Sequence, residues 1–297
     1  MGENEYLGPR HECFDCSFSR NSSIVKRMKR LADIYPTALV TGGTSGLGLA
    51  FCEMLCGEGV EVLSLARRPD RLESKHDFEC LALDLSDREA LQQYLAERHS
   101  DLGSPDLLIN NAGYGAFFEW DQFPEEEIAR QFEVLFMAPV LFCRAFAPEM
   151  KRRGSGGIVN VTSLAGLFPL PYMPMYNAGK AGLSAFSASL SLEYNGTPFV
   201  SDFRLGDFRS NFNKAASRDG EIPHDSSRGR AWSQIEKQLD ASPEVVVAAD
   251  ALRRILLRRK DGVTYAGSFL QARLAPLFHR LVPDRLLRSF LRRWYCL

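Results

Sequence analysis

The sequence predicts an α/β fold, a doubly wound parallel sheet in a single domain with extensions at both ends. Three observations predict it. Short apolar runs of strand length end in small or polar residues, helical patterns separate these runs, and a glycine-rich turn joins the first strand to the first helix. Strands that alternate with helices form βαβ units, which wind onto a parallel sheet.

The predicted strands are short and apolar throughout, as expected for strands buried on both faces. They are the runs TALV, VEVLSLA, FECLALDL, PDLLINNAG, GGIVNVTS, FVSDFRLG and VTYAG. Helical patterns lie between them, at Leu47–Cys56, Arg88–Arg98, Glu125–Met150, Tyr176–Leu192 and Pro243–Arg259. Residues 35–270 are therefore predicted to form one domain, between an N-terminal extension (1–34) and an amphipathic C-terminal tail (271–297).

Composition and charge exclude several classes of protein. A formal net charge of −1 gives no electrostatic reason to bind nucleic acid. No apolar run approaches the roughly 18 residues of a membrane span, and the polar N-terminus lacks the features of a signal peptide. Gly2 does not begin a myristoylation motif, because position 6 is Tyr6. The chain is predicted to be cytoplasmic.

The cysteines indicate neither a disulfide framework nor a metal site. There are seven, an odd number spread along the chain. Cys13 and Cys16 form a C-x-x-C pair beside His11, but no second pair with ligand spacing completes a zinc site. We therefore predict no metal.

The glycine-rich turn predicts a dinucleotide site. TALVTGGTSGLGLAFCEML contains a strand, a turn with glycines at 42, 46 and 48, and a helix. Glycines let the backbone approach a phosphate, which then lies at the helix N-terminus. The spacing G-x-x-x-G-x-G alone is a weak signal, since glycine turns also simply join strands to helices. Its position after the first strand is the context that supports the prediction.

The end of the second strand favours NADP(H) over NAD(H). An acid there would bind the ribose hydroxyls of NAD, whereas an arginine accommodates the 2′-phosphate of NADP. The sequence has Ala66 followed by Arg67 and Arg68, with no acid before Asp70. A guanidinium group is suited to phosphate. The alternative is a solvated basic turn.

Five motifs stand in one fixed order: TGGTSGLG, LALDLSD, NNAG, the serine of NVTS, and YNAGK. Over residues 36–270 the chain closely resembles the short-chain dehydrogenase/reductase family. The resemblance implies a Rossmann-like domain whose nicotinamide lies across the carboxyl ends of the strands, with Asp84 on the adenine and Asn110 in a structural role. The implied cofactor-binding residues are Gly42, Thr44, Ser45, Gly46, Leu47, Arg67, Arg68, Asp84, Leu85, Asn111, Ala112, Gly113, Tyr176, Lys180 and Ser210.

The same resemblance implies the catalytic residues Ser163, Tyr176 and Lys180. A carbonyl that accepts a hydride needs a proton at its oxygen, and a free tyrosine with a pKa of about 10 is poorly matched to that work. A lysine one helical turn away is expected to lower that pKa. Ser163 is expected to bind the substrate oxygen. The alternative is that Tyr176 and Lys180 only decorate a helix.

The sequence departs from the family pattern at several positions. Leu135 stands where the family has an asparagine that serves a proton relay, and Ala138 stands where the same family pattern has a glycine. Leu205 replaces a proline, and Gly179 stands where serine is common. Leucine cannot form hydrogen bonds, so the relay is expected to differ or turnover to be slow.

The leading interpretation is an NADP(H)-dependent oxidoreductase that reduces a hydrophobic ketone or aldehyde, or oxidises the alcohol. The alternatives are an NADPH-binding sensor or scaffold with little turnover, and an isomerase or dehydratase. Apolar residues expected near the pocket, many of which would be core in any fold, are Phe117, Phe118, Leu164, Phe168, Tyr172, Phe208 and Phe212. Residues 211–240 are expected to form a mobile lid. The resemblance also implies a homo-oligomer.

The tail LAPLFHRLVPDRLLRSFLRRWYCL repeats apolar residues at three- and four-residue steps, with arginines on the other side. Pro283 is expected to divide it into two helices. Such a helix can pack on its own domain or a sister subunit, or lie on an anionic membrane. Packing is favoured, with weak, salt-sensitive membrane contact at most.

Overall fold

The computed structural model describes residues 30–72, 77–101, 104–210, 212, 216–218, 220 and 222–297. At its centre is a seven-stranded sheet in which all neighbouring strands are parallel. The strands are β1 (Thr37–Thr41), β2 (Glu61–Ala66), β3 (Glu79–Ala82), β4 (Leu107–Asn110), β5 (Gly157–Ser163), β6 (Phe199–Leu205) and β7 (Gly262–Ala266). The seven predicted strands are confirmed, each within one residue of the apolar run that predicts it.

Helices connect the strands and continue beyond the last one. They are α1 (Gly46–Gly57), α2 (Arg88–Asp101), α3 (Glu125–Phe132), α4 (Ala138–Arg152), α5 (Pro174–Tyr194), α6 (Ser227–Asp240), α7 (Val245–Arg258), α8 (Ala275–Leu281) and α9 (Asp284–Trp294). A π-helical turn, Glu133–Met137, joins α3 to α4. Pro283 is the N-cap of α9, so the predicted division of the tail into two helices is confirmed.

The helices cover both faces of the sheet and bury two separate apolar layers. On one face Phe51 of α1 and Leu252 of α7 pack against Val40 and Ile109. On the other, Phe142 of α4 packs with side chains of α2 and of the central strands. This three-layer arrangement is the doubly wound fold that the sequence predicts.

The strand order β3-β2-β1-β4-β5-β6-β7 reverses direction between β1 and β4. In open α/β sheets, the loops that leave such a switch point diverge and form a crevice at the carboxyl ends of the strands. Any ligand site of this fold is therefore expected beside the ends of β1 and β4.

Only the last residues of the predicted N-terminal extension lie in the described part of the chain. Leu31 is fully buried in the same layer as Tyr35, and its backbone N–H donates to Glu58 at 3.2 Å. Within the described part of this extension, Leu31 packs on the domain. The Cys13–Cys16 pair and residues 26–29 of the basic run lie outside the described residues.

One continuous helical stretch, Glu125–Arg152, is long and apolar enough by length and composition to cross a bilayer. Half of its apolar window is buried inside the fold, where Phe142 and Phe146 pack on the sheet. A core helix passes the same length and composition test, and the burial identifies this stretch as one.

Candidate active site and dinucleotide cleft

The predicted site residues come together in one cleft of about 390 Å³, at the carboxyl ends of the strands beside the switch point. Its walls include all of them: Gly42, Thr44, Ser45, Gly46, Leu47, Arg67, Arg68, Asp84, Leu85, Asn111, Ala112, Gly113, Ser163, Tyr176, Lys180 and Ser210. Residues from five separate motifs therefore meet in space. The roles assigned to the individual residues stay predictions.

The glycine-rich turn forms the wall at the start of α1. Gly42 has a φ of +75°, a conformation that side chains rarely adopt. A Cβ atom on Gly48 would lie 2.1 Å from the carbonyl oxygen of Gly42, so only glycine lets the helix come this close to the turn. Gly46 and Leu47, in the first turn of α1, line the cleft. The unpaired N–H groups of a helix N-terminus are suited to phosphate.

The NNAG segment after β4 holds this turn in place. The Asn111 side chain donates to the carbonyl oxygen of Thr41 at 2.9 Å, and the backbone N–H groups of Asn111 and Ala112 both donate to Thr41 Oγ1 at 3.0 Å. Asn110 instead donates to Asn160 Oδ1 at 2.7 Å, joining β4 to β5. Asn110 is therefore a structural residue, as the resemblance implies.

The far end of the cleft carries basic side chains where β2 ends. Ala66 is buried, and Arg67 and Arg68 are exposed at the cleft edge. The Arg67 guanidinium lies 5.7 Å from the ring centre of Tyr114, a cation–π contact that orients it. Partial burial pushes the pKa of Asp84 upward, but hydrogen bonds from Ser86 and the nearby arginines outweigh it, and that pKa lies below its usual value.

Ser163 and Tyr176 face each other at the other end of the cleft. Ser163 is the last residue of β5, and its hydroxyl is within hydrogen-bonding reach of the Tyr176 phenol. Burial raises the pKa of Tyr176 to about 12, the hydrogen bond from Ser163 lowers it, and the charge of Asp207 raises it. The expectation that Lys180 lowers this pKa is wrong for the structure, because burial dominates.

Lys180 lies one turn beyond Tyr176 on α5 and is buried. Its Nζ donates to the backbone carbonyl of Val161 at 2.7 Å. Burial lowers the pKa of Lys180 to about 8, and the charge of Asp202 raises it. The amine is thus partly neutral near physiological pH, which also limits its influence on the phenol.

A buried polar network stands behind Lys180. Asp202, on β6, accepts hydrogen bonds from Ser184 Oγ at 2.5 Å and from Arg204 Nε at 2.8 Å, and also from the hydroxyl of Thr162. Ser184 follows Lys180 by one turn of α5, and Thr162 follows Val161 on β5. The network therefore fixes both the helix that carries Lys180 and the strand that binds its amine.

A sequence model of the short chain dehydrogenases matches residues 36–218, which is more than half of the chain. The chain belongs to the short-chain dehydrogenase/reductase family. The curated relatives include a 3-ketodihydrosphingosine reductase of Bacteroides thetaiotaomicron, 32% identical over 177 residues, which are 59% of this chain and 64% of the relative. The chain spans 55–64% of the length of the first curated relatives it matches.

Solved structures of the short-chain dehydrogenase/reductase family match over most of the fold. A short-chain dehydrogenase from Streptomyces avermitilis is 28% identical, with a TM-score of 0.71 over 88% of this chain and 96% of that one. A short-chain dehydrogenase from Sphingobium yanoikuyae, in complex with NADPH, is 27% identical, with a TM-score of 0.66 over 86% and 95% of the two chains. The predicted family and fold are confirmed.

Leu135 is the largest departure from the short-chain dehydrogenase/reductase pattern within the site. It is fully buried in the π-helical turn between α3 and α4. Cβ atoms built on Gly113 and Gly179 would lie 3.0 and 2.8 Å from its side chain. Gly179 and Gly113 therefore pack directly against Leu135, with little room for a side chain of their own. π-helical turns are frequent at functional sites, and this one carries an apolar side chain.

The apolar end of the cleft differs from the prediction. Of the seven residues expected near the pocket, Phe208 and Phe212 line it. The others pack outside the lining: Phe117, Phe168 and Tyr172 belong to a cluster around Trp232, Phe118 packs with Phe123, and Leu164 is buried at the end of β5. The reason is that Phe117, Phe168, Tyr172 and Phe118 are taken up by apolar clusters beside the cleft, where burial stabilises them.

Other residues supply that wall instead. They are Leu170, Met173, Ile235, Gln238 and Leu239. Ile235 and Leu239 lie on α6, so part of the predicted lid is a helix that forms a wall of the cleft. Their four-residue spacing is the signal that could have found them. Six residues of the predicted lid (211, 213–215, 219 and 221) lie outside the described residues, and its mobility stays a prediction.

Two acids near the site, the buried Asp202 and the half-buried Asp207, were not predicted from the sequence. Asp202 carries a signal, since a charged pair at positions 202 and 204 of an apolar strand points to one face of the sheet. Asp207 follows β6 and accepts a hydrogen bond from Gln271 Nε2 at 2.6 Å, and burial raises its pKa. In the described residues no group of three or more acidic, cysteine or histidine side chains could hold a metal ion.

Proposed function

We propose that the chain is an NADP(H)-dependent oxidoreductase that reduces a hydrophobic ketone or aldehyde, or oxidises the corresponding alcohol. One observation carries the proposal. Ser163, Tyr176 and Lys180 meet in the same cleft as the glycine-rich turn, although they come from β5 and α5 and the turn comes from β1 and α1. A proton-transfer group beside a dinucleotide-type turn is the arrangement that hydride transfer to a carbonyl requires.

The residues present fit a phosphorylated dinucleotide. Gly42 and Gly48 let the turn pack closely on the start of α1 and on the segment after β4, and the N-terminus of α1 lines the cleft, where its N–H groups can bind a phosphate. Arg67 and Arg68 supply positive charge where a 2′-phosphate would lie, and Ala66 leaves no carboxylate to repel it. The NADPH complex of the related Sphingobium yanoikuyae enzyme supports the same cofactor.

Each catalytic side chain has a distinct task in this proposal. The bound nicotinamide supplies or accepts the hydride. Tyr176 keeps its proton at neutral pH because its pKa is about 12, so it is ready to donate to a carbonyl oxygen. Ser163, hydrogen-bonded to Tyr176, positions the same oxygen, and Lys180 holds its place through Val161.

The substrate proposal rests on the apolar wall. Leu170, Met173, Phe212, Ile235 and Leu239 line the cleft on the Tyr176 side, which favours a molecule with an extended apolar part over a small polar one. The related Bacteroides protein is a 3-ketodihydrosphingosine reductase, whose name denotes a ketone. We therefore propose ketones with long aliphatic or aromatic substituents. Cytoplasmic location and a homo-oligomer stay predictions.

The test is a coupled binding and turnover measurement on the full chain. NADPH is titrated first by protein fluorescence, and NADPH absorbance is then followed with aliphatic ketones of increasing chain length and with aryl ketones. We expect NADPH to bind more tightly than NADH and at least one bulky ketone to be reduced. Tight NADPH binding without turnover on any ketone would contradict the enzyme proposal.

That outcome would favour the second function, an NADPH-binding sensor. One observation supports it. Leu135 places a buried apolar side chain beside Gly113 and Gly179, at the position where the family pattern has a proton-relaying amide. A sensor would show a conformational response to NADPH, measured as a change in proteolysis, and no oxidation of NADPH with any of the ketones.

A further inference from the structure

The two tail helices present an exposed apolar face that the domain does not use for its own packing. Its principal side chains are Leu277, Phe278 and Leu281 on α8, and Leu286, Phe290 and Trp294 on α9. Leu286 is 60% exposed and Leu281 72%. Phe278 contacts Phe290, and Phe290 stacks on Trp294, so the side chains form one continuous surface. We refer to these six residues as the tail face.

A second stripe of α9 already holds the helix on the domain. Leu287, Leu291 and Tyr295 are buried against Trp232 and Ile235 of α6. This stripe lies one position after Leu286, Phe290 and Trp294, so the helix has an inward and an outward apolar stripe side by side. The favoured prediction, packing of the tail on its own domain, describes the inward stripe. The outward stripe needs a different partner, because isolated apolar residues are normal on a surface but contiguous patches mark interaction sites.

Arginines surround the tail face. Arg273, Arg280, Arg285, Arg288, Arg292 and Arg293 are all exposed, whereas Asp284 is the one acid among residues 273–297. Arg288 is paired with Asp284 at 3.1 Å. The rest of the chain must be acidic on balance, since its formal net charge is −1 overall. Positive charge is therefore concentrated around the exposed apolar side chains of the tail face.

We propose that the tail face docks on an anionic membrane surface. Apolar and aromatic side chains would enter the boundary between headgroups and acyl chains, and the surrounding arginines would contact anionic headgroups. A second copy of the chain is the weaker occupant. A two-fold contact would place the same arginines of both copies against each other without acids to pair them.

The location of the tail face adds a consequence. Its helix packs on α6, whose Ile235 and Leu239 line the cleft, and Phe168 contacts His279 of α8. A docked chain would therefore hold the apolar end of the cleft near the bilayer. That consequence rests on the proposed function, whereas the docking itself does not.

Vesicle binding of the full chain tests the proposal. The chain is sedimented with vesicles of phosphatidylcholine alone and of phosphatidylcholine mixed with phosphatidylglycerol, at low and high salt. We expect binding to the mixed vesicles, weakened by salt but not abolished, and little binding to the neutral ones. Brominated acyl chains should quench the fluorescence of wild type more than that of Trp294→Phe.

The variants separate the tail face from general effects. Leu286→Glu/Phe290→Glu should abolish binding to the mixed vesicles. The matched control outside the tail face is Leu192→Glu on α5, where the wild-type leucine is 85% exposed. This variant should bind the mixed vesicles as wild type does. Arg285→Gln and Arg292→Gln should each weaken binding about fivefold. Thermal midpoints should be unchanged in all four, since these side chains are exposed.

Three outcomes would overturn the proposal. The first is no sedimentation of wild type with either vesicle. The second is binding that the double glutamate variant retains. The third is a wild-type dimer in solution that this variant dissociates, without vesicle binding, which would assign the face to a second copy. NADPH binding, measured in parallel, tests the proposed function separately.

Discussion

The amine of Lys180, on α5, donates to the backbone carbonyl of Val161, on β5, at 2.7 Å in the buried interface between this helix and strand. The bond fixes the amine at the strand, and the buried Leu135, which stands where the family pattern has an asparagine, offers it no side-chain hydrogen bond. The cost of burying the amine appears in its pKa of about 8, against an ordinary value near 10.4. The hydrogen bond thus holds Lys180 in place, while burial destabilises its charged form.

Tyr176→Phe should abolish ketone reduction and leave NADPH affinity within about twofold of wild type. The change removes only the hydroxyl that donates the proton, and the ring keeps its edge-to-face contact with Phe212. Since the pKa of Tyr176 is about 12, the donor is protonated throughout neutral pH, and reduction by wild type should not lose its donor below about pH 10. Single-turnover oxidation of NADPH measures both points.

The matched control is Tyr194→Phe, which removes a hydroxyl from the C-terminal end of α5, outside the cleft lining. Its activity should equal that of wild type. Reduction by Tyr176→Phe within a few-fold of wild type would assign the proton to another group.

Lys180→Met should change how stability depends on pH. A lysine whose folded pKa is about 8 destabilises the fold while charged, and this penalty is full below pH 8 and fades as pH rises toward the unfolded pKa of about 10.4. Methionine carries no such penalty. Between pH 7 and pH 10.5, the unfolding free energy of wild type should therefore rise by about 3 kcal/mol relative to that of Lys180→Met.

Urea unfolding at the two pH values measures this change. Lys260→Met, at an exposed position after α7, should show no such trend. A gap between Lys180→Met and wild type that stays constant with pH would show that the lysine is not buried in its charged form.

Arg67→Ala should weaken NADPH binding by about 1–3 kcal/mol and hardly affect NADH, because a charge-assisted bond to the 2′-phosphate is lost. The guanidinium is oriented over Tyr114, so it needs little ordering to bind. Fluorescence titration with both cofactors measures the difference. Arg258→Ala, an exposed arginine on α7, is the control. Equal losses for NADPH and NADH would remove Arg67 from phosphate recognition.

The sequence predicts more of the fold than of the candidate site. Each apolar run became a strand because parallel strands are buried on both faces, and Pro283 divided the tail because proline cannot continue a helix. The motif residues were found because glycine φ values and helix spacing are local properties. The sign of the Tyr176 pKa shift was not predictable, because it depends on burial by residues distant in sequence. The same holds for the wall that α6 supplies, since a polar segment with few apolar residues shows a weak period.

Asp202 belongs to the buried polar network behind Lys180, and the last prediction concerns its carboxylate. Its carboxylate accepts bonds from Ser184 and Arg204, and its charge raises the pKa of Lys180. Tyr176 and Asp207, both half-buried in the cleft wall, are further ionisable groups around this part of the cleft. Asp202→Asn keeps the shape and removes the charge. The pKa of Lys180 should fall further, so a loss of ketone reduction that follows deprotonation of Lys180 should move to lower pH.

The same change leaves Arg204 partly buried beside a neutral amide, so stability should fall by about 3–5 kcal/mol. Loss of stability alone would not move a pH profile. Glu58→Gln is therefore the control, since it breaks the partly buried pair with Arg253, 2.7 Å apart, away from the cleft. We expect Glu58→Gln to lower the unfolding free energy without shifting the pH profile, and Asp202→Asn to do both. An unshifted profile in Asp202→Asn would confine that carboxylate to a structural role.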